Sequence, residues 1–82
     1  MRSNRMKSPE YVKEFIETQV SVGALVDVYY MFEVGKALVY TNLTFRNAVK
    51  ISLDDLEEML LPYEKRTLVR KGNVAYHLKE VK

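Results

Sequence analysis

The chain predicts an α+β domain: a five-stranded antiparallel sheet or small barrel with two helices, in the order helix, three strands, helix, two strands. Three observations carry this. Apolar residues recur at helical spacing after Pro9 and again after Ser52, every second residue is apolar from Val20 to Val34, and two glycines sit where flanking strands can pair with their faces sorted. With Gly35-Lys36 as a two-residue loop, Val34 faces Ala37, Phe32 faces Val39, Tyr30 faces Thr41, Val28 faces Leu43 and Val26 faces Phe45. With Gly72-Asn73 as the second loop, Lys71 faces Val74, Val69 faces Tyr76 and Thr67 faces Leu78. Opposed residues of an antiparallel pair share one face, so a wrong loop length is expected to mix the faces. Glycine at the first loop position suits a type II′ turn.

The elements follow in order. Residues 1–7 form a basic arm ahead of a single domain over 8–82. Ser8 is placed to cap the first helix, Pro9 suits its first position and Glu10 complements its dipole. Val12, Phe15, Ile16 and Val20 make the buried stripe of a helix running to about Gln19. A period of two then predicts a strand over Val20–Val34, bent at Gly23, against the rival of a continuing helix. The second strand covers Ala37–Phe45, and a loop at Arg46-Asn47-Ala48 sets Val49 opposite Phe45 and Ile51 opposite Leu43 in a shorter third strand. Ser52 caps the second helix with Asp55 as the reciprocal acid; Leu53, Leu56, Met59 and Leu60 form its stripe, and Pro62 ends it. Lys65–Lys71 and Val74–Val81 close the chain as a hairpin. The same element order fits a small OB- or SH3-like barrel, and a two-layer sheet with both helices on one face is the alternative.

Composition excludes several functions. The 82 residues contain no cysteine and one histidine, which removes disulfides, thiolate nucleophiles and multi-histidine metal sites within one chain. The net charge of +2 is uneven: Arg2, Arg5 and Lys7 open the chain, residues 8–61 hold four bases against nine acids, and residues 62–82 hold six bases against two acids. No apolar leader or membrane-length run is visible, so the expected address is cytoplasmic. Asn42-Leu43-Thr44 fits the glycosylation pattern by chance on that reading.

Two surfaces draw a functional reading. Arg66, Arg70, His77 and Lys79 share one face of the closing hairpin, with Lys71 beside them at the turn, and Tyr29 and Tyr40 lie on the central strands. Cations that neutralise phosphates beside rings that stack bases are how single-strand binders work, although charge on an exposed strand also guards against aggregation. Leu25, Tyr29, Met31, Leu38 and Tyr40 make an apolar-aromatic face suited to a second copy or another protein, with Met31 expected across from Tyr40 and Tyr29 across from Asn42. Asp27 is expected to bond Thr44 or pair diagonally with Arg46. His77 reads as solvated or structural, and the acidic second helix is poorly suited to a DNA groove.

No nucleotide loop, nucleophile elbow or metal cluster is present, so the expectation is a non-enzymatic module without cofactor. Nucleic-acid binding leads. A homodimeric interaction or regulatory protein using the apolar face is the alternative.

Overall fold

A computed structural model describes residues 9–41, 48–70 and 72–81. Helix α1 (Pro9–Val22) leads into strands β1 (Leu25–Met31), β2 (Lys36–Tyr40) and β3 (Ala48–Ser52), followed by helix α2 (Leu53–Leu60) and strands β4 (Tyr63–Arg70) and β5 (Asn73–Glu80). The strands form one open antiparallel sheet in the order β3-β2-β1-β5-β4, so the two-layer arrangement is realised and the barrel is not. An open sheet keeps two edges, β3 and β4, and places β1 at its centre.

Both helices pack on one face. Val26 and Val28 of β1, Ala37 and Val39 of β2, Val49 and Ile51 of β3, and Tyr76 and Leu78 of β5 meet Val12 and Ile16 of α1 and Leu56 and Leu60 of α2 in a continuous core. Period two in the strands and helical spacing in the helices supply matching apolar surfaces.

Helix α1 runs three residues past the expected end, to Val22, and the strand begins only at Leu25. Gly23 is the reason. At φ 72° it takes the left-handed conformation, its N–H donates to the Val20 carbonyl at 3.2 Å, and the Ala24 N–H reaches the Gln19 carbonyl at 2.9 Å. That pair of bonds is a Schellman helix stop rather than a strand bend. Gln19, 6 % exposed, donates from Nε2 to the Leu25 carbonyl and ties the helix end to β1.

Each turn differs from its predicted form, yet the faces survive. A short 3₁₀ turn (Phe32–Val34) and Gly35, at φ 69°, join β1 to β2, so Val28 faces Val39 rather than Leu43, and Tyr30 faces Ala37 rather than Thr41. Phe32 and Val34 are therefore exposed at the turn instead of facing inward. In the closing hairpin Arg70 pairs with Asn73 and Val69 with Val74, which makes Gly72 the second loop residue and rules out a type II′ turn. Val49 faces Val39 instead of Phe45, and Ile51 faces Ala37; Phe45 and Leu43 lie outside the described residues. Every displacement is even. A slip by an even number preserves the alternation of faces, so sorted faces alone do not determine a loop length.

Helix α2 starts as expected, with the Ser52 hydroxyl accepting from the Asp55 N–H at 3.1 Å. Its first residue, Leu53, also donates to the Gly35 carbonyl at 3.0 Å and fastens the β1–β2 turn to the helix start.

Candidate functional site: the open face of the sheet

No described helix or loop lies over the second sheet face. By register it displays Leu25, Asp27, Tyr29 and Met31 on β1, Lys36, Leu38 and Tyr40 on β2, and Ala48 and Lys50 on β3. On the other side of β1 it displays Ala75, His77 and Lys79 of β5 and Glu64, Arg66 and Leu68 of β4. Four inter-strand spacings of ~4.8 Å make this surface about 19 Å across.

The residues singled out in the sequence meet here. Tyr29, 39 % exposed, stands directly opposite Leu38, and Tyr40 stands opposite Asp27. Met31 pairs with Lys36, not with Tyr40, and Asn42 is not the partner of Tyr29. Arg66 is directly opposite His77, which in turn is opposite Leu25. In register Asp27 faces Tyr40 on one side and Ala75 on the other, since the β1–β2 turn takes four residues; its expected partners, Thr44 and Arg46, lie outside the described residues. Arg70 holds its place in β4, and Lys71 lies outside the described residues.

Two features were not anticipated. Lys36 and Lys50, alternating with the buried pairs Ala37/Val39 and Val49/Ile51, are exposed on this face. Their signal was the same period of two that sorted the valines. Ala75 is only 1 % exposed although no helix covers it, because its methyl group lies between the longer side chains of Asp27 and Leu68.

Charge separates across the two layers. Helices α1 and α2 carry seven acids and one lysine, whereas the open face shows Lys36, Lys50, Arg66 and Lys79 against Asp27 and Glu64. The four bases sit on β2, β3, β4 and β5, around a central strand that carries the tyrosine and the aspartate.

On the helix side, a groove between α1 and α2 is lined by Glu10, Glu17, Asp55, Glu58, Tyr63 and Glu80, among others. Burial first, then Glu17 and Glu80, push the Tyr63 hydroxyl above its ordinary pKa. Among the described residues no group of His, Cys, Asp or Glu side chains is arranged to hold a metal ion, and no helix is long and apolar enough to cross a membrane. Val69, expected to face Tyr76, pairs instead with Val74 and is 76 % exposed on the edge strand β4.

Among known proteins, no family model, no curated protein and no solved structure matches this chain. Its functional reading therefore rests on the geometry of this face.

Proposed function

We propose that the protein is a non-enzymatic nucleic-acid-binding module whose binding surface is the open face of the sheet. The observation that supports it is the ring of Lys36, Lys50, Arg66 and Lys79 around the exposed Tyr29 and the half-buried Tyr40, on the side of the molecule opposite the acidic helices. Cations placed around stacking rings match a phosphate backbone with its bases turned inward, which is how sheet surfaces hold nucleic acids. His77 belongs to the same face, opposite Arg66, and Arg70 and Lys71 add positive charge to the same stretch of sequence. A cytoplasmic setting belongs to the same reading.

Charge reversal tests it. Arg66→Glu combined with Lys79→Glu alters two exposed side chains that touch no core residue, so the circular dichroism spectrum and Tm are expected to stay close to wild type. Retention of short oligonucleotides, read by fluorescence anisotropy at low salt, is expected to disappear. A wild type that binds neither single- nor double-stranded probes overturns the proposal.

The second reading is a homodimer through Leu25, Tyr29, Met31, Leu38 and Tyr40, favoured by the side-by-side apolar contacts of Tyr29 with Leu38 on an uncovered face. A twofold contact would bring the basic rims of two copies together, which disfavours it relative to a polyanion. Sedimentation equilibrium at high micromolar concentration distinguishes them, since a monomer excludes the dimer.

A further inference from the structure

We infer that a second copy of this chain pairs with the outer edge of β4, strand to antiparallel strand about a twofold axis at Thr67, so that two sheets join into one. Strand β4 is an edge of the sheet, and its ladder to β5 runs unbroken from Tyr63↔Glu80 to Arg70↔Asn73. No proline or bulge interrupts it, and no described strand pairs with its outer side. The opposite edge, β3, is shorter and carries the exposed Lys50 at its centre. A long, unblunted edge is a template for another strand.

Which backbone groups that edge offers follows from one bond. The Val81 N–H donates to the Pro62 carbonyl at 3.1 Å, which makes residues 62 and 81 a hydrogen-bonded pair in register with the β4–β5 ladder. Such pairs alternate along an antiparallel ladder, so Glu64, Arg66 and Leu68 turn their backbone groups toward β5, while Tyr63, Lys65, Thr67 and Val69 turn theirs outward. Lysine commonly guards an edge of this kind. Here the Lys65 ammonium lies 5.4 Å from the centroid of the Tyr76 ring, drawn back over the sheet, and Leu68 and Val69 beside it are exposed.

The edge is its own complement in one register. Outward residues must meet outward residues, and opposed residues share a face, so few twofold pairings are open to it. An axis at Lys65 or Arg66 sets a base against its own copy. An axis at Leu68 sets Arg66 opposite position 70, another arginine, and Lys65 opposite position 71, another lysine. Axes nearer either end leave less than half of the strand paired. With the axis at Thr67, Thr67 meets Thr67, Lys65 meets Val69, Arg66 meets Leu68, and the acid of position 64 stands opposite the base of position 70. Lys65, Thr67 and Val69 of the two copies then exchange about six backbone hydrogen bonds. An axis perpendicular to the sheet keeps both open faces on one side, and nine spacings of ~4.8 Å give a continuous surface about 43 Å across. On the nucleic-acid reading the second copy supplies the other half of the binding surface, although the edge pairing stands independently of that reading.

Sedimentation equilibrium of the full chain at high micromolar concentration is expected to show a dimer. Hydrogen exchange followed by NMR is expected to show the amides of Lys65, Thr67 and Val69 slowing as concentration rises, while those of Arg66 and Leu68, bonded to β5 in either state, do not change. Thr67→Pro removes an outward N–H that the ladder to β5 does not use, so the monomer keeps its fold and self-association is expected to weaken about tenfold or more. Thr67→Lys leaves the backbone intact and sets two ammonium groups against each other on the axis, with the same expected loss. Met31→Glu, on the open face, is expected to leave the dimer in place. A wild type that stays monomeric, a dimer whose Lys65, Thr67 and Val69 amides exchange as fast as in dilute solution, or a dimer as tight in Thr67→Lys as in wild type overturns the inference. A dimer lost only with Met31→Glu also overturns it and moves the contact to the open face. Oligonucleotide retention by such a monomer leaves the nucleic-acid reading standing, and an edge-paired dimer that retains no oligonucleotide overturns that reading alone.

Discussion

Tyr30 shows how one residue couples packing to ionisation. Its hydroxyl lies 2.6 Å from that of Tyr76, and its ring stacks on Phe32 with centroids 5.2 Å apart and planes 5° from parallel. Burial first, then the hydrogen bond and charge of Tyr76 and the charge of Glu57, raise the Tyr30 pKa well above the ordinary tyrosine value. In the unfolded chain the phenol ionises near pH 10, whereas in the folded protein it keeps its proton to higher pH. Below that unfolded value both states are protonated and Tyr30 adds no slope. Above it the unfolded chain binds fewer protons than the folded one, so stability falls as pH rises. Urea midpoints between pH 8 and 11.5 are expected to show this decline, and Tyr30→Phe to flatten much of it. The substitution also removes one hydrogen bond, at a cost of about 1 kcal/mol at neutral pH. An alkaline decline equally steep in the variant would assign the slope to other groups, Tyr63 among them.

Among the elements, local chemistry was readable wherever one residue type does a job no neighbour can substitute. Ser52 is such a case: its hydroxyl caps α2, whose short span of Leu53–Leu60 gives it few internal bonds to lose. Ser52→Ala is expected to cost about 1 kcal/mol, and Ser52→Asp to restore it, by urea unfolding followed by circular dichroism. A loss with neither recovery by Asp nor any change in helix content would move the role of Ser52 to its place in β3. The end of α1 was less readable. Val20, Val22 and Ala24 continue the alternation of β1, so the change from helix to strand is marked only by Gly23, and a glycine there suits a bend as well as a stop. Turn lengths were the least readable, because Phe32 and Val34 are as apolar as strand residues yet occupy the exposed turn. The membership of each face was legible all the same, since every register displacement was even. The open face could therefore be assembled from sequence although its cross-strand neighbours could not.

At the scale of the whole molecule, the sequence shows charge by segment and the fold converts it into charge by face. The acids of α1 and α2 and the bases of β2 to β5 are interleaved along the chain, and only the placement of both helices on one side of the sheet separates them. The smallest principal extent is 25 Å, which sets how far apart the two layers can act. Screening lengths are about 30 Å at 0.01 M salt and about 8 Å at 0.15 M. The acidic helices are therefore felt at the open face in dilute salt and are silent there at physiological ionic strength. Neutralising two exposed carboxylates of α2, with Glu57→Gln and Glu58→Gln, is expected to strengthen oligonucleotide binding severalfold in dilute salt and to leave it unchanged at 0.15 M. For the wild type, four cations contacting a single strand give a slope of about −3 in log affinity against log salt, and the variant should show a somewhat steeper one. A gain that persists undiminished at 0.15 M would mean that the nucleic acid touches α2 itself, which would put the binding surface on the helical side and remove the case for the open face.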